Sequence, residues 1–192
     1  MNKFNIFEFT DVTMLGHKAS FSGLYDLCRF AIENKARAVC IPPCFVTMAV
    51  DRLKKEPDVK VCTVIDFPFG HSELEPLEVE LRYLADIGVS EFDIVVNKNL
   101  FTNRPARYFK FWRRINNILH KKPYDVKTKF ILEMCKMESI DELKELCDFT
   151  IEAGFDFIKT NTGVFGPTTM EDVVGLSELV GTRCLIKAAG GI

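Results

Sequence analysis

Residues 155–163 read FDFIKTNTG, an aromatic and aliphatic run that carries a lysine near its end and then breaks into a polar turn ending in glycine. This pattern predicts a buried strand with Lys159 at its carboxyl tip. Residues 184–191, CLIKAAGG, repeat the plan, and Lys187 follows Lys159 by 28 residues. Because one βαβ unit takes roughly 30 residues, we expect the two strands to lie side by side and parallel. Two ammonium groups would then share one small space.

A pair of lysines in matching positions has a chemical consequence. A solvated lysine has a pKa of about 10.4, and only the uncharged amine can attack a carbonyl carbon. Burial and a neighbouring cation both disfavour the charged form, so we expect Lys187 to lower the pKa of Lys159. This is the requirement for a Schiff-base lysine. The alternative is that both are ordinary lysines that extend from strand ends to water.

Length and composition indicate one soluble domain. The 192 residues are 47% hydrophobic, which suits a single core over residues 1–192. Basic and acidic residues nearly cancel at 25 against 27, and no basic block is long enough to follow a nucleic-acid backbone. Residues 1–6 lack the apolar core of a signal peptide, and no stretch approaches a membrane span. We therefore predict a cytoplasmic protein without a nucleic-acid or membrane partner.

The cysteines and histidines do not form a metal-binding pattern. The seven cysteines are scattered, contain no C-x-x-C pair and lie largely in apolar runs, which is typical of free thiols in a reducing compartment. His17, His71 and His120 are far apart and have no partners at helical spacing. We predict neither a metal nor a cofactor.

Apolar runs and amphipathic segments alternate along the whole chain. Helix 104–119 combines an aromatic stripe with arginines, which could form a nucleic-acid surface but is more typical of a core-facing helix with a solvated opposite face. The strands are predicted at residues 6–13, 38–41, 60–65, 91–97, 128–134, 155–160 and 183–188. Each is followed by a helix where the chain continues, so we expect parallel strands covered by helices.

The polar residues at the strand ends decide between a barrel and a doubly wound sheet. Charged side chains that converge from several strand tips are typical of the top of a (β/α)₈ barrel, whereas a flat sheet has no such focus. The chain also has no G-x-G-x-x-G sequence and no P-loop. Counted in steps of two from each strand end, the residues predicted to share one side are Asp11, Thr13, Cys40, Asp93, Glu133, Lys159 and Lys187.

Seven motifs together resemble the class I deoxyribose-phosphate aldolases, from about residue 9 to the end. The two lysine motifs are the most specific, and the run at 61–70 adds to them. The motifs are DVTML at 11–15, VCIPP at 39–43, VCTVIDFPFG at 61–70, FDIVVN at 92–97, ILEMC at 131–135, FIKTNTG at 157–163 and IKAAGGI at 186–192.

The resemblance implies a carbon–carbon lyase that reversibly cleaves 2-deoxy-D-ribose 5-phosphate to D-glyceraldehyde 3-phosphate and acetaldehyde through a Schiff base, as part of carbohydrate and deoxyribonucleotide degradation. Lys159 matches the nucleophile and Lys187 the second lysine, which takes part in proton relay. Asp93 matches the general acid/base, with a structural ion pair as its alternative role. Asp11 matches the carboxylate that pairs with the second lysine. The substrate-binding candidates are Thr13 and Thr162, which would position a water, Cys40, and the phosphate-binding glycines Gly163, Gly190 and Gly191.

The sequence also departs from the family pattern. It ends at Ile192, where the family continues through an eighth strand and last helices, so we expect a TIM-type barrel that lacks these elements, as a fragment or a natural truncation. Asp66 stands where glycine is usual, which adds a carboxylate near the barrel mouth, while Asn161 replaces serine and Met134 a frequent threonine.

Two alternative functions remain open. One is a lysine-dependent aldolase of other substrate specificity, and the other is a catalytically inactive barrel fragment that acts as a binding or assembly subunit. The resemblance is also compatible with a homodimer.

Overall fold

The computed structural model describes residues 4–192, and over this range seven β-strands alternate with seven α-helices. The strands are β1 (Asp11–Thr13), β2 (Ala38–Ile41), β3 (Lys60–Ile65), β4 (Glu91–Val95), β5 (Lys127–Ile131), β6 (Phe157–Lys159) and β7 (Leu185–Lys187). The helices are α1 (Phe21–Asn34), α2 (Val46–Leu53), α3 (Leu74–Asp86), α4 (Lys98–Asn103), α5 (Pro105–Leu119), α6 (Ile140–Glu152) and α7 (Met170–Val180).

Every strand pairs in parallel with the next one along the chain, so the sheet order is β1 to β7. The carboxyl ends of all the strands therefore meet at one rim. The sheet curls into a half-barrel, as shown by the contact of the Lys187 ammonium of the last strand with the Asp11 carboxylate of the first. The predicted parallel α/β architecture is confirmed. Within residues 4–192 the backbones of β1 and β7 do not pair with each other, and the absence of an eighth strand from the protein stays a prediction.

The two faces of the sheet bury different side chains. On β2, Val39 and Ile41 belong to the large core between the sheet and the helices, whereas Ala38 and Cys40 point into the interior of the half-barrel. Cys62 joins the interior group from β3. Small apolar residues line this interior, which leaves room for the charged groups described below.

The aromatic stripe of α5 is part of the core. Trp112 and Tyr108 are almost fully buried, and the Trp112 ring packs against Phe130 of β5 at 6.1 Å between centroids. Aromatic pairs at this spacing stabilise a core beyond the burial of their area. The prediction of a core-facing helix is confirmed. No helix in the described part of the chain combines the length and the apolar character that a membrane span requires.

The first strand is shorter than predicted. Ile6–Phe9 forms a 3-10 helix, and only Asp11–Thr13 pairs with the sheet. The Asn5 side chain accepts a hydrogen bond from the Phe7 amide and caps this helix. The Asn5 cap therefore favours a 3-10 helix at residues 6–9, where the apolar pattern predicted part of a strand over residues 6–13.

The fifth strand and the segment after the fourth also differ from the predictions. Strand β5 ends at Ile131, because Glu133 adopts left-handed backbone angles with φ of 58° and leads into a 3-10 turn. Beyond β4, Asn97 accepts a hydrogen bond from the Leu100 amide and starts the short helix α4. The apolar pattern predicted that the fourth strand continues to Asn97, and it did not predict this helix. An asparagine N-cap is its signal.

Candidate active site

Lys159 and Lys187 enter the same interior space. They are paired residues of neighbouring strands, and both side chains reach carboxylates inside the half-barrel. Lys159 Nζ lies 2.6 Å from Asp93 Oδ2. Lys187 Nζ is in close contact with Asp11 Oδ2. The structure therefore brings together the four residues that sequence reasoning selected for catalysis, as two ion pairs.

A third lysine, Lys129, lies deeper in the same cluster and was not predicted. Its side chain is fully buried. Its Nζ atom lies 2.6 Å from Glu91 Oε2, 2.7 Å from Asp93 Oδ1 and 3.3 Å from Asp11 Oδ2. It therefore links the two predicted ion pairs. Counting back in steps of two from Glu133 reaches Lys129, so its inward direction could have been inferred from the sequence.

The amino end of the cluster is closed by an arginine. Arg37 Nη1 donates to Glu91 Oε2 at 2.9 Å and to Asp11 Oδ1 at 3.1 Å. The guanidinium also lies over the Phe157 ring, 5.3 Å from its centroid. The carboxylates of Asp11 and Glu91 therefore lie between the Arg37 guanidinium and the Lys129 ammonium. This arrangement fixes the position of Asp11, which in turn contacts Lys187.

The aspartates of the cluster are ionised. Burial alone would raise the pKa of Asp93, but Lys129 and Lys159 hold it far below its usual value. The pKa of Asp11 is likewise lowered, because Lys129 and Lys187 outweigh the effect of burial. Both groups are acceptors only and carry full negative charge at neutral pH.

The pKa of Lys159 differs from the sequence prediction. Burial lowers this pKa, but the Asp93 carboxylate together with Cys40 and Cys62 raises it by more, and the net direction is upward. We expected a downward shift caused by Lys187. The reason for the difference is that each lysine has its own carboxylate, so the charge nearest to Lys159 is an anion. The resting protein holds Lys159 as an ammonium ion.

Two thiols border Asp93. Cys62 Sγ donates to Asp93 Oδ1 at 3.2 Å, and Cys40 Sγ lies 4.0 Å from Oδ2. Burial raises the pKa of Cys62 well above its ordinary value, and the neighbouring carboxylate adds to this effect. The Cys62 thiol is therefore protonated and serves as a weak donor to the carboxylate.

Donor atoms inside the half-barrel are close enough to hold a metal ion. Cys40, Cys62 and Asp93 offer atoms within 4.8 Å of one another, as do Asp11, Cys62 and Glu91. The Lys129 ammonium lies among these donors, 3.3 Å from Cys62 Sγ and within ion-pair distance of all three carboxylates. It supplies the positive charge that such a donor set requires.

The loops after β6 and β7 meet at the rim. Gly163 and Gly190 approach so closely that a Cβ on Gly190 would lie 3.3 Å from Gly163 Cα. Gly190 and Gly191 have positive φ of 102° and 75°. Among residues 4–192, we find no intramolecular acceptor for the backbone N–H groups of these three glycines. Glycine N–H groups without an acceptor, on loops that approach this closely, form a candidate site for an anion.

Glu133 fixes the loop that carries Thr162. Its buried carboxylate accepts the Thr162 N–H at 3.0 Å through Oε2 and the Cys135 thiol at 3.3 Å through Oε1. Asn161, the residue that replaces serine, accepts the Cys135 N–H and donates to Thr168 Oγ1 at 2.7 Å. These contacts hold the turn after Lys159 in one conformation.

Two polar residues lie outside the charged cluster. Thr13 is exposed at the edge of β1, and its hydroxyl donates to the Asp11 carbonyl oxygen. Asp66 does add a carboxylate near the rim. Its oxygens accept the backbone N–H groups of His71 and Ser72 and the Ser72 hydroxyl. The carboxylate of Asp66 is therefore committed to its own loop.

Comparison with known proteins agrees with this geometry. The deoxyribose-phosphate aldolase of Thermoanaerobacter sp. (strain X514) is 39% identical over 192 residues, which cover 98% of this chain and 84% of the relative. The solved structure of the aldolase QR15 superposes with a TM-score of 0.87 at 29% identity and covers 99% of this chain and 83% of its own. The tetrameric deoxyribose phosphate aldolase from Aeropyrum pernix gives a TM-score of 0.86 at 28% identity, covering 97% and 78%. No family model matches the chain.

The half-barrel of parallel strands, with lysines and carboxylates collected inside it, is that of an aldolase, a carbon–carbon lyase. At the identity and coverage just given, the chain belongs to the deoxyribose-phosphate aldolase family. The resemblance inferred from the seven motifs is thereby confirmed.

Proposed function

We propose that this protein is a Schiff-base aldolase that reversibly cleaves 2-deoxy-D-ribose 5-phosphate to D-glyceraldehyde 3-phosphate and acetaldehyde, with Lys159 as the nucleophile. The observation that carries the proposal is the contact of 2.6 Å between Lys159 Nζ and Asp93 Oδ2 at the carboxyl end of a buried strand. A nucleophilic amine and an ionised carboxylate at this distance are the two groups that imine formation and carbon–carbon cleavage need.

Burial and contacts exclude Lys129 as the nucleophile, and the family motif assigns this role to Lys159 and not to Lys187. The Lys129 side chain is fully buried and bound to three carboxylates, so a carbonyl compound cannot reach it. Lys187 is more exposed than Lys159 and likewise has a single carboxylate partner, Asp11. Lys159 lies at the end of β6 next to the rim and has a single carboxylate partner, Asp93.

The charge balance of the cluster allows one proton to be lost, although Asp93 raises the pKa of Lys159. Ion pairs join four cationic groups to three carboxylates. With all four cations protonated and all three carboxylates ionised, the cluster carries one excess positive charge. Removing one proton makes the cluster neutral, which is favourable in a buried site. The cations are Arg37, Lys129, Lys159 and Lys187, and the carboxylates are Asp11, Glu91 and Asp93.

Asp93 accepts the proton that cleavage releases. After Lys159 loses one proton, its amine adds to the aldehyde carbon of the substrate, and loss of water from the carbinolamine gives the iminium. Asp93 Oδ2 is then free to bind the substrate hydroxyl. Breaking the carbon–carbon bond sends the electron pair into the iminium and turns the hydroxyl into the aldehyde of the departing product. Lys187, held by Asp11, relays a proton to the enamine carbon through a water positioned by Thr162. Hydrolysis of the imine by water then releases acetaldehyde.

The phosphate group binds at the loops after β6 and β7. The backbone N–H groups of Gly163, Gly190 and Gly191 have no acceptor in the described part of the chain, and Gly163 and Gly190 lie against each other. Turns after the late strands of a barrel are common phosphate sites. Lys159 lies four residues before Gly163, so the reacting carbon and the phosphate of one small substrate can be held together.

The proposal is tested by trapping the imine. Sodium borohydride reduction with deoxyribose 5-phosphate should leave one adduct, which peptide mass analysis should assign to Lys159. We expect Lys159→Leu to abolish both the adduct and turnover, Lys187→Leu to nearly abolish turnover, and Lys127→Leu, an exposed control, to retain both. Retained turnover in Lys159→Leu would refute the assignment. An adduct with other carbonyl compounds alone would indicate another aldolase specificity, and no adduct at all a catalytically inactive protein.

A further inference from the structure

Two phenylalanine side chains from different loops meet at the rim of the half-barrel. Phe69 follows β3 and Phe165 follows β6, and their ring centroids lie 5.6 Å apart with an interplanar angle of 53°. Phe69 is 61% exposed and Phe165 37% exposed. We call this contact the aromatic bridge. It takes no part in the chemistry described above.

The aromatic bridge spans the mouth of the site. Strands β3 and β6 are separated by β4 and β5, which is roughly 14 Å along the sheet at about 4.8 Å for each step. All carboxyl ends lie at the same rim and the sheet is curled, so loops from β3 and β6 that meet reach across the mouth of the half-barrel. The strands between them, β4 and β5, carry Asp93 and Lys129. The bridge therefore lies over the charged cluster.

The loop that carries Phe69 is held in place. Gly70 packs so tightly against β4 that an added Cβ would lie 2.1 Å from the Val96 carbonyl oxygen. The Asp66 carboxylate, which precedes Phe69, accepts the His71 and Ser72 N–H groups, which follow it, and so closes the loop around Phe69. The exposed ring is thus presented from a fixed backbone.

The loop that carries Phe165 is fixed in a similar way. The Thr162 hydroxyl accepts the Val164 N–H, and the Asn161 amide donates to Thr168 Oγ1. A Cβ on Gly166 would lie 3.0 Å from Cys135 Sγ, which leaves little space for the loop to shift. Exposed apolar rings on a fixed backbone gain free energy when a ligand covers them.

We propose that Phe69 and Phe165 determine acceptor specificity: in the synthetic direction, the aromatic bridge contacts the carbon chain of the acceptor aldehyde. This inference rests on the proposed function. The enamine carbon on Lys159 forms the new bond to the acceptor carbonyl carbon, the carbonyl oxygen takes up a proton, and water then hydrolyses the imine. The chain beyond that carbon extends toward the rim, where the two rings lie.

The test compares straight-chain acceptors of increasing length, from propanal to heptanal, with acetaldehyde as the donor. For the wild-type protein, kcat/KM should rise about threefold to fourfold for each added methylene until the chain passes the rings. Phe69→Ala and Phe165→Ala should lose this dependence through KM, while D-glyceraldehyde 3-phosphate is affected less. Phe165→Leu keeps an apolar side chain and should retain part of the dependence.

Phe30→Ala is the matched control. Phe30 lies on α1, is 42% exposed like the bridge residues, and contacts another aromatic ring, Phe7, edge-on at 5.3 Å between centroids. The inference is overturned if chain length affects kcat/KM equally in Phe165→Ala and Phe30→Ala, or if wild-type kcat/KM does not depend on chain length. Failure of the proposed function has a different result. The wild-type protein would then form no borohydride-reducible adduct on Lys159 with any aldehyde, which would also overturn the inference.

Discussion

Lys159 Nζ lies 2.6 Å from Asp93 Oδ2, while the other oxygen of this carboxylate lies 2.7 Å from Lys129 Nζ. Asp93 therefore has two opposing effects on catalysis. It is ionised and ready to accept a proton, but it also stabilises the ammonium form of the lysine that must attack. Lys159 must lose a proton although the neighbouring Asp93 carboxylate favours its ammonium form. This opposition sets the pH dependence of the reaction.

The substitution Asp93→Asn should lower the pH at which Lys159 becomes reactive. Asp93 raises the pKa of Lys159. Without the carboxylate, burial of Lys159 is left to disfavour its ammonium form. Removing one close opposite charge shifts a pKa by about 1–3 units. We expect the midpoint of acetaldehyde trapping against pH, followed with cyanoborohydride and intact mass, to fall by this amount.

Carbon–carbon cleavage should respond in the opposite direction in the same variant. Loss of a general base costs about 10²- to 10⁴-fold in rate. Asp93→Asn should thus form the imine at lower pH yet cleave the phosphosugar slowly. Asp141→Asn, which removes an exposed partner of Lys144 on α6, should change neither property. An unchanged trapping midpoint in Asp93→Asn would show that another group controls Lys159.

Lys129→Met should destabilise the fold. The ammonium is fully buried and within 3.3 Å of three carboxylates, so its removal leaves negative charges facing one another. Breaking a buried ion pair by removing one partner costs about 3–5 kcal/mol. We expect the free energy of unfolding in urea to fall by this amount. The control is Lys127→Met on the same strand, which removes an exposed pair with Asp156 and should cost about 1 kcal/mol or less. Equal losses in the two variants would contradict this role of Lys129.

Much of the site could be predicted because its residues lie in apolar runs of strand type. Lys159 and Lys187 each close such a run, Asp93 lies within one, and counting in steps of two from the strand ends assigns them one face. The same counting reaches Lys129 and Glu91 in the interior layer below. They were missed because a charged residue inside a strand is ordinarily assigned to the solvent face. Their burial depends on partners from other strands, which one segment does not reveal.

The pKa of Lys159 could not be predicted for a related reason. The sequence indicated that Lys159 and Lys187 are neighbours, and this is how the strands pair. It did not indicate which carboxylate lies nearest to each ammonium. Asp93 is two strands away from Lys159 along the sheet and reaches it across the interior of the half-barrel. The sign of a pKa shift depends on such distances, which are set only when the sheet curls.

Asp156 should make stability depend on pH in acid. Burial opposes ionisation of this side chain, but His120, Lys127 and the Thr128 N–H lower its pKa to about 2, against an ordinary value of 3.8. A carboxyl whose pKa is lower in the folded state contributes stability above its unfolded pKa and loses it as the pH falls through the folded value. Asp156→Asn should therefore be less stable than wild type by about 2 kcal/mol at pH 7.

The difference between wild type and Asp156→Asn should shrink between pH 4 and pH 2, the interval bounded by the two pKa values of the side chain. Urea unfolding followed by circular dichroism at several pH values measures it. Asp141→Asn provides the exposed comparison and should show a small difference at every pH. A constant gap for Asp156→Asn would mean that packing, and not charge, accounts for its effect.

Gly190→Ala should weaken binding of the phosphate group. Gly190 has φ of 102°, and a Cβ there would meet the Gly166 carbonyl oxygen at 3.1 Å and Gly163 Cα at 3.3 Å. The substitution should separate the two loops whose N–H groups converge. Loss of one hydrogen bond to a charged group costs about 1.5–3 kcal/mol, so KM for deoxyribose 5-phosphate should rise roughly 10- to 100-fold.

Acetaldehyde, which has no phosphate, separates this effect from general damage to the site. Its trapping on Lys159 should change less than about twofold in Gly190→Ala, because the charged cluster lies below the altered loops. Gly175→Ala is the matched control, since an added Cβ on that helical glycine meets no atom within 4 Å. Alanine is the better helix former, so Gly175→Ala should be slightly more stable and keep its KM. If KM rises equally in both variants, or acetaldehyde trapping falls with it in Gly190→Ala, the glycines do not form the phosphate site.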